Sequence, residues 1–136
     1  MTNGLDWLLG RTTKSVEFLG RGSWRFRFGE KGEIQSYCPW RYILNGKIML
    51  SSEDHGHEFG LPEPINAEVA CAELLAMEVI AYGEIRADSR DIVLVFESGA
   101  RLEIIPLSSG YESWEIRQSN GWGLTAQGGG NLVQWE

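Results

Sequence analysis

The chain has 136 residues and a mass of 15.3 kDa, one domain's worth and enough to bury a core without disulfide or metal staples. Hydrophobic residues make up 43% and charged residues 23%, which excludes a disordered chain. The net charge of −7 is split: residues 1–47 carry eight bases against four acids, and residues 48–136 carry fifteen acids against four bases.

Glycine is abundant, at 17, and proline is scarce, at 4, which favours turn-rich β structure over a helical bundle. No apolar run reaches the ~20 residues of a membrane-spanning helix, so no membrane partner is expected. The segment Met1–Asp6 has no basic n-region. No secretory signal is read there, and the expected location is the cytoplasm.

In chain order, Trp24-Arg25-Phe26-Arg27-Phe28 alternates strictly, the period of a half-buried strand. Residues 29–32 turn it, and 33–37 return as a second strand. Trp40–Leu44 alternates again. Asn45-Gly46 suits a tight hairpin, with residues 47–51 pairing back. Two glycines and two prolines within 52–65 predict a loop. Asn66 is a helix N-cap, Glu68 suits the first turn, and Ala67, Ala70, Cys71 and Leu74 form an apolar stripe. The pattern predicts a helix over 67–76 and a strand over 77–86.

The run Asp91–Phe96 predicts a central strand, turned at Ser98-Gly99 and returned by 101–105. Tyr111–Ile116 predicts another strand. Asn120-Gly121 signals a second hairpin, and 131–135 a closing strand after the three glycines 128–130.

The predicted class is α+β: a predominantly antiparallel sheet with one main helix. A weak internal repeat runs through it. Leu8-Leu9-Gly10, Phe26-Arg27-Phe28 and Gly32-Glu33-Ile34 match Leu74-Leu75-Ala76, Leu94-Val95-Phe96 and Gly99–Leu102 in order. One domain is expected over 1–136, with pseudo-repeats 1–50 and 66–136 joined by the acidic loop 52–65.

Chemistry is sparsely signalled. Cys38 and Cys71 form no Cys-x-x-Cys pair, and both read as small buried hydrophobes. His55-Gly56-His57, beside Glu53, Asp54 and Glu58, is the one cluster of ligand-type residues. It reads as a weak metal site, a partner-contact loop or solvent-facing polarity. With no third histidine, no metal and no cofactor are assigned. No nucleophile elbow occurs, carboxylate pairs are too common to be diagnostic, and no enzyme is expected. The glycine triplet precedes a strand, not a helix, and so reads as a turn. The Arg21–Phe28 stretch could stack bases and neutralise phosphates. Alternation sends its arginines and aromatics to opposite faces, and the pI of about 4.9 opposes nucleic-acid binding. Most of the six tryptophans belong in a core.

Residues 48–85 hold eight acids and no base. Such a block attracts cationic partners or serves as a solvated face. The run Phe96–Leu102, then Tyr111-Glu112-Ser113-Trp114, the glycine triplet and Trp135 resemble domains at polymorphic-toxin loci. In this the chain resembles small bacterial immunity proteins of contact-dependent growth inhibition. That resemblance implies a non-enzymatic inhibitor of a cognate toxin, and for some of these proteins paired strand-and-helix repeats similar to the Whirly fold. The Whirly likeness also keeps nucleic-acid binding through the N-terminal arginine strand as the alternative. A toxin nuclease has a cationic groove, and an inhibitor must mask it. The expected masking surface is Glu53, Asp54, His55, His57, Glu58, Glu63 and Glu68. An open sheet also leaves edge strands that two copies could cover by pairing as a homodimer.

Overall fold

Alternation sends Trp24, Phe26 and Phe28 inward and Arg25 and Arg27 outward, and the same rule buries Ile34 and Ser36 on one neighbouring strand and Trp114 and Ile116 on the next. The computed structural model describes residues 4–135. The strands are β1 (Ser15–Gly20), β2 (Ser23–Arg27), β3 (Gly32–Ser36), β4 (Trp40–Leu44) and β5 (Lys47–Ser51). The helix α1 (Ala67–Ala76) follows, then β6 (Ile80–Ile85), β7 (Ile92–Phe96), β8 (Arg101–Ile104), β9 (Trp114–Gln118), β10 (Gly123–Ala126) and β11 (Leu132–Trp135). The fold is α+β, with two antiparallel sheets ordered β1-β2-β3-β9-β10-β11 and β5-β4-β8-β7-β6.

Both halves of the chain follow one route. Three strands run as a meander in one sheet, and the chain then crosses to the other: β1–β3 to β4 and β5, β6–β8 to β9–β11. The crossings answer each other. Trp40 opens β4 opposite Ile104, the end of β8, and Trp114 opens β9 opposite Ser36, the end of β3. Tyr37 N–H donates to the Ser113 carbonyl and Ile105 N–H to the Pro39 carbonyl, each at 2.8 Å. Each sheet is therefore built from strands of both halves.

The core lies between the sheets. Trp24 meets Trp40 edge-on with centroids 5.1 Å apart, and Phe26 meets Trp40 edge-on at 5.8 Å. Tyr42, Phe96, Ile104 and Ile116 fill the remainder, and both cysteines are buried. Burial pushes the Cys38 thiol up to about 11, against a hydrogen bond from Ser36, and the Cys71 thiol up to about 12. Neither is a thiolate at neutral pH.

The hairpin at Asn45-Gly46 forms as its dipeptide demands, with φ of 53° and 76°. Three sequence expectations shift. The buried stripe of α1 is Ala67, Cys71 and Leu75, four residues apart, with Leu74 only partly covered. The strand expected after the helix starts at Ile80, because Glu78 is held by Tyr42 Oη at 2.6 Å and Ser98 Oγ at 3.0 Å. The strand expected from Tyr111 starts at Trp114. Residues 105–113 carry the chain between sheets, and Ser108 Oγ accepts from the Gly110 and Tyr111 amides, which bends the segment into a turn.

The outer faces are cross-linked by charge. On the first sheet Arg25 and Arg27 lie within 4 Å of both Glu17 and Glu33, and Arg117 Nε sits 2.6 Å from Glu115. On the second, Glu103 accepts from Arg41 Nε and Arg101 Nε, each at 2.7 Å. Burial alone would raise the Glu103 carboxyl. The hydrogen bonds and charges of the two guanidiniums outweigh it, and its pKa is lowered. The native state therefore binds fewer protons here than the unfolded chain. The stabilisation is present above the ordinary glutamate range and is lost as pH falls through the lowered value. Because both arginines are half exposed, its size is about 1 kcal/mol. In urea unfolding between about pH 2 and 6, Glu103→Gln should show a flatter acid decline than the natural chain. Identical pH slopes would contradict this.

Candidate acidic docking loop

The segment between β5 and α1 is closed by its own backbone. Ser51 N–H donates to Asp54 Oδ2 at 2.9 Å and Glu53 N–H to Ser51 Oγ at 3.1 Å, a capping box around a short 3₁₀ turn. His57 N–H then bonds the Asp54 carbonyl, Gly56 N–H the Ile65 carbonyl and Ile65 N–H the His57 carbonyl, at 2.8–3.0 Å. The result is a loop with joined ends and a projecting tip, residues 58–64.

The expected masking residues divide into two groups. Asp54, His55 and Glu68 hold the fold. Asp54 caps the turn. His55 Nδ1 accepts the Ala67 amide at 3.0 Å, at the start of α1, while its ring packs 4.6 Å from Phe18 and 5.5 Å from Trp24. Glu68 accepts the Phe18 amide at 2.8 Å, which covers the free edge of β1. Glu53, His57, Glu58 and Glu63 face solvent. The three carboxylates among them make no side-chain hydrogen bond or ion pair among the described residues. Among those residues no group of three His, Cys, Asp or Glu is placed to hold a metal ion.

Two side chains at the tip were absent from the sequence reading. Phe59 is 68% exposed and Leu61 is 53% exposed. Phe59 has φ +47°, a left-handed backbone that a bulky aromatic residue rarely adopts, and the His57 ring stacks on it at 5.4 Å. Holding an aromatic there costs on the order of 1 kcal/mol, a strain typical of functional positions. The available signal was Phe59-Gly60-Leu61 inside a polar loop, two large apolar residues with no strand or helix to bury them.

Beside the loop, Glu53 and His55 border a shallow groove that also touches Phe18, Trp24 and Cys38. A cavity of about 700 Å³ shares Tyr37, Cys38 and Pro39 with this groove and reaches Arg21, Leu107 and Tyr111. Tyr111 and Leu107 stand largely free of the protein at its rim.

Arg25 and Arg27, which the alternative reading would place on phosphates, stand in a ladder of three arginines and three glutamates with Arg117. No helix among the described residues is long and apolar enough to cross a membrane. No protein-family model, curated protein or solved structure matches the chain.

Proposed function

We propose that this chain is a non-enzymatic protein-binding module, an immunity protein that neutralises a cognate bacterial toxin by masking its cationic active-site surface in the cytoplasm. The observation that carries the reading is the 53–63 loop: a strained, exposed Phe59 and an exposed Leu61 on the same loop as the exposed, unpaired carboxylates of Glu53, Glu58 and Glu63. Apolar anchors surrounded by charge form the usual anatomy of an interface hot spot with a polar rim. The acids steer a basic partner into contact, and the apolar tip retains it. Because the loop's ends are bonded and its base is fixed to α1 through His55, little order would be lost on binding. The balanced arginine ladder favours this reading over nucleic-acid binding, which needs unneutralised cations.

The same reading takes the two halves as copies of one strand unit, the organisation that the Whirly likeness implies. Its support is the shared route of the halves and the matching places of Trp40 and Trp114.

The test is a growth assay with the reading frame immediately upstream, expressed with and without this chain. Toxicity that this chain relieves, with a complex on co-purification, is expected. Toxicity that it cannot relieve, or the absence of toxicity, overturns the immunity reading.

A further inference from the structure

The two open sides of the sandwich are closed unequally. Where β1 and β5 end their sheets, α1 packs against both and buries Ala67, Cys71 and Leu75. Where β6 and β11 end theirs, the described residues supply the 3₁₀ turn Asp6–Leu8, which packs on β6. Three residues replace ten, and a cleft of about 780 Å³ remains between the turn, β6 and the strands β9–β11. That volume lies within the range of small-molecule sites.

Its lining is chemically specific. Two indoles, Trp7 and Trp122, stand in it with the carboxamides of Gln118 and Gln134, the Asp6 carboxylate and Arg90. The Trp122 indole N–H, both carboxamides and the Asp6 carboxylate have no hydrogen-bond partner among the described residues. Arg90 is held in place: its Nε donates to the Gly130 carbonyl at 3.0 Å and its own carbonyl accepts the Trp114 indole at 2.8 Å. It sits at φ +65°, an uncommon backbone state for a residue other than glycine. Trp7 is fixed too, with its N–H on the Gly4 carbonyl at 3.1 Å and its ring edge-on to Phe28.

We propose that this cleft is a saccharide-binding site. A pyranose ring presents an apolar C–H face and a girdle of hydroxyls, each both donor and acceptor. An indole offers an apolar face with a polar N–H at its edge. A carboxamide offers a donor and an acceptor in one plane, which matches two neighbouring hydroxyls. The single arginine is offset by Asp6, so the cleft has no excess charge to select a phosphate. An aliphatic chain would make no use of the carboxamides of the half-buried Gln118 and the exposed Gln134. A neutral polyhydroxylated ring can use both the indoles and the carboxamides. The proposal does not depend on the toxin reading, since the cleft and the acidic loop lie at opposite sides of the sandwich.

The test is a tryptophan-fluorescence titration of the full chain with maltotriose, cellotriose and the trimer of N-acetylglucosamine. Adenosine and inorganic phosphate serve as competing chemistries. Saturable binding of at least one trisaccharide is expected, with a Kd of about 0.1–10 mM, weakened at least about tenfold by Gln118→Ala and by Gln134→Ala. Trp122→Ala should abolish it, and the two glutamine variants keep the test decisive if that chain fails to fold. No saturation by any of the three sugars overturns the proposal. So does binding that both glutamine variants leave unchanged, or saturation by adenosine or phosphate instead.

Discussion

Trp40→Ala should destabilise the protein by about 3–5 kcal/mol, the range for emptying a buried tryptophan site. The side chain is fully buried at the first residue after the chain changes sheets. Its ring is the meeting point of Trp24 and Phe26 from the opposite sheet, so truncation removes contacts to both layers at once. The cavity cannot collapse easily, because its walls are held by strand pairing on both sides. A domain of this size has about 5–15 kcal/mol in all, so the variant should be marginal. Trp114→Ala should cost a similar amount and also leave the Arg90 carbonyl without its indole donor. Urea unfolding followed by far-ultraviolet circular dichroism measures both. A loss below about 1 kcal/mol for Trp40→Ala would show that the two sheets are not joined through this residue.

Some of this architecture was legible because local and tertiary demands agree. At 40–51 the Asn45-Gly46 turn and the pairing of β4 with β5 specify one hairpin, while the expected alternation fails at a register shift between Tyr42 and Ile43, both of which are buried. At Asn66 the cap chemistry and the onset of burial coincide, and Asn66 Oδ1 does accept the Val69 amide at 3.1 Å. Elsewhere tertiary structure erases the local signal. All four residues of β10 are buried, so it shows no alternation. Its outer side is covered by Trp135, whose indole occupies the space that a Cβ on Gly123 would take. The edge strand β1 is half covered by α1 and Glu68, and its apolar residues fade from Val16 to a partly exposed Leu19. That five strands form one sheet and six the other depends on where the chain crosses, and Pro39 and Pro106, which interrupt the two crossing segments, mark a break in the strand without saying which sheet the chain enters next.

The candidate site was legible as charge but not as shape. Composition located the acids, and only the fold separates Asp54, His55 and Glu68, which hold structure, from Glu53, Glu58 and Glu63, which do not. Substituting the first group would confound binding with folding. The apolar tip escaped notice because Phe59 and Leu61 read as ordinary hydrophobes until their exposure is known.

That division sets the second large effect. The triple variant Glu53→Lys, Glu58→Lys, Glu63→Lys should slow association with the purified toxin about tenfold or more at low salt, with dissociation little changed. Its association rate should also cease to fall with added salt, because the attraction that salt screens has gone. Phe59→Ala should act in the opposite way. Association should persist, while loss of a central aromatic anchor costs about 2 kcal/mol and speeds dissociation about thirtyfold. Neither change should lower stability by more than about 1 kcal/mol, since these side chains bear no hydrogen bond or ion pair in the free protein, and Phe59→Ala, which keeps a Cβ at the left-handed φ, gives up only the stacking against His57. Stopped-flow association and surface-plasmon dissociation measure the two rates separately. If Phe59→Ala left dissociation unchanged while Tyr111→Ala accelerated it, the contact would lie in the groove between Tyr37 and Leu107 and not on the loop. If neither substitution altered either rate, the acidic side of the sandwich would not be the inhibitory surface.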